Sequence, residues 1–326
     1  MISINQKIIS DILNLYSSEI NLIISLAKQS VIEFRNSPTK NGGRNNPPVP
    51  LPPHSQEEII YLDTLINEFE DIVKAQPKEI NRFKILFDNI ITGADISKYH
   101  RTFKNELLVR MGYTNLRYDY YARYFEKTGI KSCIYCNSQL AVTVRTIKGK
   151  KSAKFQVDHF LPKSEYPCFS ISFFNLLPVC GPCNGKKNTN SVNFKVYSED
   201  PFDLKNSPFK FILDRKSIVS YRINGVVDKL IIKFDDPLKK GLNSSFDIEG
   251  IYATQKDIAE ELLLKSIIYN ESYLDSLRDS FKKLYPNKIP MAERLLVGNY
   301  TRSKDIHKRP MTKFTQDIAK QLKLIK

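Results

Sequence analysis

The spacing of apolar residues predicts that residues 1–126 are mainly helical. Between Ile2 and Leu26, isoleucine and leucine recur at three- and four-residue steps, which is the period of an amphipathic helix. Ser55 and Glu58 fit a capping box in front of an apolar stripe, so a second helix is predicted to begin there and to end before Pro77. Further helices are predicted over residues 79–92 and 102–111.

Two stretches of the N-terminal region depart from this simple pattern. Residues 36–54 contain Asn-Gly-Gly and a Pro-Pro-Val-Pro-Leu-Pro-Pro tract, a composition that does not build a packed core. We interpret them as a flexible or polyproline linker; a proline-rich ligand for a partner is the alternative. Residues 115–128 are rich in tyrosine, and this spacing favours packing between helices over stacking on nucleic-acid bases. The tyrosines concerned are Tyr118, Tyr120, Tyr121 and Tyr124.

The C-terminal region, residues 196–326, has a mixed pattern. Two runs rich in β-formers, 217–223 and 226–234, flank Asn224-Gly225, which predicts a β-hairpin. Residues 253–285 predict one long or broken amphipathic helix, and residues 312–324 predict a last short one. Together the patterns predict an α+β fold with three parts: a helical region (1–126), a central module (127–195) and an α+β region ending in a basic tail (196–326).

Composition excludes several classes of protein. Hydrophobic residues make up 41% of the 326 and charged residues 26%, as in soluble globular proteins, and the chain can build a core without cross-links. The longest apolar runs fall far short of the ~20 residues that span a bilayer, and the start of the chain does not resemble a signal peptide. We therefore expect a cytoplasmic protein whose five cysteines are thiols or metal ligands.

The positive charge is concentrated in two blocks. The net charge is +15, yet residues 1–126 carry 15 basic and 15 acidic groups. Residues 127–195 carry 11 basic and two acidic groups, and residues 277–326 carry 13 basic and four acidic groups. Two basic blocks indicate a polyanion held at two places, of which nucleic acid is the commonest. Charge that serves solubility alone is the alternative.

Four of the five cysteines form two CxxC pairs. Cys133 and Cys136 form the first pair, Cys180 and Cys183 form the second, and 43 residues lie between the inner cysteines. Each CxxC turn directs two thiols to one point, so two turns can supply four thiolates to a tetrahedral zinc ion with no open position. A redox CxxC needs only one pair and a thioredoxin-like context, which is missing here. Cys168 is predicted to be a small buried hydrophobe.

Between the cysteine pairs lie residues that could carry chemistry. Asp158 and His159 end an apolar run, Asn175 follows, and Asn184 comes directly after Cys183. Taken singly, the histidine could be a hydrogen-bonded core residue, and the other three could cap turns. A zinc ion that ties the two ends of this segment together would let the four side chains converge.

In this order the residues resemble the HNH nuclease family in its four-cysteine zinc form. The resemblance covers residues 133–187 and includes Lys187, with Asn184 where many members have histidine. It implies a ββα-metal fold, with a hairpin formed by residues 139–147 and 154–158 and a helix from about Cys183.

The resemblance also implies roles for these side chains. His159 would be the general base, and the side-chain oxygen of Asn175 would accept a hydrogen bond from the other N–H of the imidazole. Asp158 and Asn184 would hold a catalytic divalent cation, Mg²⁺ in the first instance. Phosphate contacts are implied for three lysines, with solvated side chains as the alternative: Lys163, Lys186 and Lys187.

The function implied is metal-dependent cleavage of DNA, with RNA not excluded, by an endonuclease of bacterial defence or restriction. Some nucleases of this layout work beside an ATPase, so the helical N-terminal region is predicted to receive an ATPase or another defence partner, or to self-associate. Two alternatives are a zinc-stabilised nucleic-acid-binding module without cleavage activity, and a scaffold that recruits a partner through its N-terminal region.

Overall fold

The computed structural model describes residues 3–40, 47–188, 192, 194–200, 208–237, 241–286 and 289–325. These residues form a mixed α+β fold, rich in helix and with short two-stranded sheets, which confirms the predicted class. Within the described ranges, no helix combines the length and the apolar character that crossing a bilayer requires.

Helices dominate the chain up to residue 128. They are α1 (Gln6–Leu15), α2 (Ser17–Asn36), α3 (Gln56–Asn67), α4 (Phe69–Lys74), α5 (Pro77–Asp88), α6 (Gly93–Lys98), α7 (Arg101–Arg110), α8 (Tyr113–Tyr118) and α9 (Tyr120–Thr128). The predicted capping box is present, since Ser55 Oγ accepts from the Glu58 amide and the Glu58 carboxylate accepts from the Ser55 amide. Pro77 begins α5, where its missing N–H has no helical partner to lose.

The described ends of the predicted linker are held against the helices. The first strand of the fold is β1 (Ile4–Asn5). In the predicted linker, β2 (Thr39–Lys40) pairs antiparallel with β3 (Val49–Pro50), and residues 41–46 lie outside the described ranges. His54 places its Nε2 2.9 Å from the carbonyl of Phe34, and the carboxylate of Glu58 lies 3.5 Å from His54 Nδ1 and 2.8 Å from His100 Nδ1. Burial would raise the pKa of Glu58, but the bonds from the two histidines lower it to about 2. Burial would lower the pKa of His54, but Glu58 and the Phe34 carbonyl raise it.

The predicted hairpin of the central module is wrong in its pairing. β4 (Val142–Arg145) pairs with β5 (Lys151–Lys154), whereas β6 (Gln156–His159) pairs antiparallel with β7 (Leu176–Val179). Every residue of β7 is buried, so β7 gives β6 a buried strand to pair with. The turn that follows β4, residues 146–150, is exposed and offers no such contact. β7 was not predicted from the sequence; its two-stranded sheet tolerates Pro178 because one edge of each strand is unpaired. The helix predicted from about Cys183 is α10 (Gly181–Lys187).

The predicted hairpin at Asn224-Gly225 is also wrong. Those residues end a helix, α11 (Arg215–Asn224), and Gly225 adopts the left-handed conformation, with φ +65°, that commonly closes one. Asp214 caps the other end by accepting a hydrogen bond from the Ser217 amide. The helix separates two antiparallel strands, β9 (Lys210–Leu213) and β10 (Ile232–Asp235), and β8 (Tyr197–Ser198) pairs with β1.

The remaining helices complete the C-terminal region. They are α12 (Leu242–Phe246), α13 (Ile248–Ala253), α14 (Lys256–Ile268), α15 (Glu271–Leu284), α16 (Ile289–Val297) and α17 (Thr312–Gln321). Residues 253–285, predicted as one long or broken amphipathic helix, form a broken one, with Asn270 capping α15.

One hydrophobic core runs through all three regions of the chain. Tyr120, Tyr121 and Tyr124 are buried in it, which confirms the prediction that they pack; the side chain of Tyr118 lies outside the description. Cys168 is fully buried, as predicted for a small hydrophobe. Because the core is continuous, residues from the N-terminal and C-terminal regions contact the central module directly.

Candidate metal centre and active site

The four paired cysteines come together in one buried cluster. Their sulfur atoms all lie within 4.8 Å of one another, and Cys136 Sγ lies 3.9 Å from Cys180 Sγ. A tetrahedral zinc site with Zn–S bonds of about 2.3 Å would place its sulfurs about 3.8 Å apart. The amide and hydroxyl of Ser138 donate to Cys136 Sγ, which stabilises a thiolate. The cluster can therefore hold a zinc ion in a closed, structural site.

Local structure explains how each pair points inward. Cys133 and Cys136 lie on a turn between α9 and β4, in which Asn137 is fully buried. Cys180 is the N-cap residue of α10, and Cys183 lies in the first turn of that helix. A helix N-terminus presents unpaired N–H groups and a positive dipole end, both of which favour a thiolate.

Asp158 and His159, at the end of β6, open onto a cavity of about 480 Å³. The same cavity is lined by Lys163, from the loop after β6, and by Asn184, from α10. The fold thus brings together four side chains that the sequence assigned to one site.

The ring of His159 has a defined tautomer. Its Nε2 lies 2.9 Å from the main-chain carbonyl of Ser170, and because a carbonyl can only accept, Nε2 carries the proton and Nδ1 is the basic nitrogen. Burial, and then the nearby charge of Lys163, lower the pKa of His159 to about 3. The imidazole is therefore neutral near pH 7, which is the state from which a general base accepts a proton.

Asn175 does not make the predicted contact with the imidazole. The carbonyl of Ser170 takes that hydrogen bond, while Asn175 bonds to the main chain of the loop after β6. Its Oδ1 accepts from the Leu161 amide at 2.7 Å, and its Nδ2 donates to the carbonyls of Leu161 and Phe169. Fully buried, with its amide oxygen and its amide nitrogen both hydrogen-bonded, Asn175 closes the loop that carries Ser170.

The carboxylate of Asp158 has two partners that the sequence did not assign to it. Tyr135, inside the first CxxC turn, donates its hydroxyl to Asp158 Oδ2 at 2.6 Å. Lys187 Nζ lies 3.3 Å from the same oxygen and donates to the carbonyl of His159 at 2.8 Å. The Lys187 side chain is fully buried, and these oxygens are the partners that a buried ammonium needs. It therefore does not face the cavity, where the predicted phosphate contact would lie. Lys186 is exposed on α10 and does not line the cavity.

Asn184 could complete a cation site with Asp158. Its Nδ2 donates to Gln156 Oε1 at 2.6 Å, and this bond leaves the Oδ1 oxygen available to bind a cation. A carboxylate and an amide oxygen are hard ligands, and Mg²⁺ binds proteins through one or two such groups while it keeps several waters. The donor set therefore fits Mg²⁺, although Lys187 competes for the same carboxylate.

Sequence reasoning missed several residues that shape this site. Tyr113, at the start of α8, packs its ring 4.9 Å from that of His159, and Lys104 on α7 lines the cavity. Neither lies near the motif in the sequence, so no local signal connects them to it. For Tyr135 the sequence does contain one signal. It lies between two cysteines that face the same metal site, and this restricts the direction of its side chain.

Comparison with known proteins finds one short similarity. The chain is 42% identical over 57 residues to Septu protein PtuB of Bacillus thuringiensis. The matched segment covers 18% of this chain and 19% of that protein, so this chain spans about a fifth of the length of the relative it matches. No family model and no solved structure matches. The resemblance to the HNH family therefore stays a prediction.

Proposed function

We propose that this protein is a metal-dependent endonuclease that hydrolyses phosphodiester bonds of DNA through an HNH-type site. The observation that carries the proposal is the cavity shared by Asp158, His159 and Asn184, directly beside a closed cysteine cluster. Two lysines in its lining, Lys104 and Lys163, suit a polyanionic substrate. RNA is the second candidate substrate, because phosphate is common to both.

Each residue of the site has a role in this proposal. A divalent cation bound by Asp158 and Asn184 would stabilise charge on the scissile phosphate and on the leaving 3′ oxygen. His159 takes a proton from the attacking water at Nδ1, while the Ser170 carbonyl keeps the other ring nitrogen protonated. The Tyr135 hydroxyl orients the Asp158 carboxylate.

The biological setting is part of the proposal. The similarity to Septu protein PtuB supports the role in bacterial defence that the sequence predicted. We assign residues 127–195 to the nuclease module, residues 1–126 to the helical region that would receive an ATPase or another defence partner, and residues 196–326 to the α+β C-terminal region.

A plasmid assay tests the proposed activity. Zinc-loaded protein incubated with supercoiled plasmid should produce nicked or linear DNA when Mg²⁺ is added, and none when Mg²⁺ is withheld. His159→Ala should retain zinc and lower the rate by about 10²–10⁴, the usual contribution of a general base. Lys98→Ala, at an exposed position of α6 outside the cavity, should cut like the parent. Equal rates for His159→Ala and the parent would contradict the role of His159.

One observation favours a second candidate, a zinc-stabilised nucleic-acid-binding module that does not cut. Lys187 already compensates the charge of the Asp158 carboxylate, so the site can be electrically satisfied by the chain itself. Binding of DNA at low salt, without cleavage in Mg²⁺, Mn²⁺ or Ni²⁺, would favour this candidate over the enzyme.

A further inference from the structure

One wall of the cavity belongs to the N-terminal region. α7 contributes Lys104, Asn105 and Leu108 to the lining that also contains Asp158 and His159. The sequence assigned substrate contacts to the central module and to the basic block at residues 277–326, and it assigned a partner to the net-neutral N-terminal region. Net charge summed over a region says nothing about which of its cations the fold places beside a site.

Contacts next to this wall keep it in register with the candidate catalytic residues. The ring of Tyr113, in the helix that follows α7, lies 4.9 Å from the imidazole of His159, and its hydroxyl donates to the Val157 carbonyl at 3.4 Å. The Nζ of Lys163 lies 5.1 Å from the centre of the same tyrosine ring. α7 contacts α8 in turn, so the wall is part of the packed site.

The two lysines of the cavity lining, Lys104 and Lys163, are partly buried. Lys104 is half-buried, and burial, and then the neighbouring charge of Arg101, lower its pKa. Burial also lowers the pKa of Lys163, with Arg117 acting in the same direction and Asp158 against it. Within the described ranges, neither Lys104 nor Lys163 lies within 4.0 Å of a carboxylate oxygen. Clustered and partly desolvated positive charges repel one another, and an anionic ligand would relieve that repulsion.

We propose that Lys104 binds a backbone phosphate of the nucleic acid, together with Lys163, so that α7 forms one wall of the substrate groove. The inference rests on the proposed function and names a contact that the HNH-like segment does not contain. A phosphate contact from a lysine is a point-charge interaction, so it should contribute affinity without sequence preference.

Salt dependence of binding tests this contact. A labelled DNA duplex is titrated with the full-length chain between 50 and 200 mM salt, in a His159→Ala background that prevents cutting. If Lys104 neutralises one phosphate, Lys104→Gln should reduce the slope of log K against log salt concentration by about 0.9, and Lys104→Arg should restore it. Lys98→Gln removes the same charge from the exposed face of α6 and should leave the slope unchanged.

The outcomes separate this inference from the proposed function. Equal slopes for Lys104→Gln and the parent, in a protein that binds and cuts DNA, would overturn the role of Lys104 and leave the nuclease intact. A parent that binds neither DNA nor RNA at 50 mM salt would overturn both. A melting temperature for Lys104→Gln close to that of the parent shows that a reduced slope reflects the lost contact.

Discussion

Asn137 joins the first cysteine turn to the C-terminal region, so replacing it should destabilise the zinc cluster from outside. Its side chain is fully buried, donates to Ser132 Oγ at 2.8 Å and to the Ile306 carbonyl at 3.2 Å, and accepts from the Lys313 amide at 3.0 Å. The backbone of Asn137 is left-handed, with φ +56°. The residue therefore combines three buried hydrogen bonds with a conformation that costs most side chains energy.

The variant Asn137→Gly measures the contribution of the side-chain hydrogen bonds separately from the cost of the backbone conformation. Glycine adopts a positive φ without strain, while the three partners lose their bonds at about 1 kcal/mol each, which predicts a loss of about 3 kcal/mol in the free energy of unfolding. Asn137→Ala should fall within about 1 kcal/mol of the same value, because its strain at positive φ and the larger unfolded-state entropy of glycine roughly cancel.

Urea unfolding at a fixed zinc concentration measures these losses, since bound zinc adds to the stability of the folded chain. The matched control is Asn188→Gly, at another asparagine with a positive φ, +46°, whose side chain is exposed. It should change the free energy of unfolding by less than about 1 kcal/mol. A loss below about 1 kcal/mol for Asn137→Gly would refute the reasoning, because the three bonds would then contribute nothing measurable.

Three further predictions concern zinc, the cation site and pH. Cys180→Ser should abolish zinc binding, measured by metal analysis, and should unfold the central module, seen by circular dichroism. Tyr135→Phe removes the bond to Asp158 Oδ2, so the Mg²⁺ concentration for half-maximal cleavage should shift several-fold while the zinc content stays unchanged. Glu58→Gln removes the ion pair with His54. The raised pKa of His54 stabilises the folded chain below pH 6.5, and this stabilisation is lost as the pH rises through the folded-state pKa of His54. The lowered pKa of Glu58 stabilises the folded chain above pH 4.5. The variant's deficit in urea unfolding should therefore be larger at pH 5.5 than at pH 8.5, and an equal deficit would contradict the assigned pKa directions.

The features that sequence reasoning predicted correctly are those encoded over a few residues. The capping box at Ser55 depends on atoms three residues apart, and a CxxC turn restricts its two sulfurs locally. The hairpin at Asn224-Gly225 was wrong because the same dipeptide also ends helices, as it does here for the helix that Asp214 caps at its other end. The pairing of β6 with β7 was not predicted, because the two strands are 16 residues apart in the chain and no local signal connects them.

The motif residues were predicted, but their hydrogen bonds were not. The sequence connected Asn175 to the ring of His159, because both belong to one pattern, whereas the structure uses the carbonyl of Ser170. Main-chain carbonyls are present at every residue, so no pattern in the side chains can indicate which of them accepts a given bond. Lys187 illustrates the same limit, since a lysine in a basic segment gives no sign that it will be buried against Asp158.

The HNH-like segment ends at residue 187, but the site does not. The cysteine turn depends on Asn137 and on the Tyr252 hydroxyl, which donates to the Cys136 carbonyl at 2.9 Å, and both contacts reach the C-terminal region. The imidazole of His159 packs against Tyr113 from the N-terminal region. The residues proposed to carry the chemistry therefore belong to the motif, whereas some of the contacts that hold them in place come from flanking regions that the motif does not specify. Under the proposed function, two chains that share the motif and differ in these flanking regions should catalyse the same reaction on different substrates.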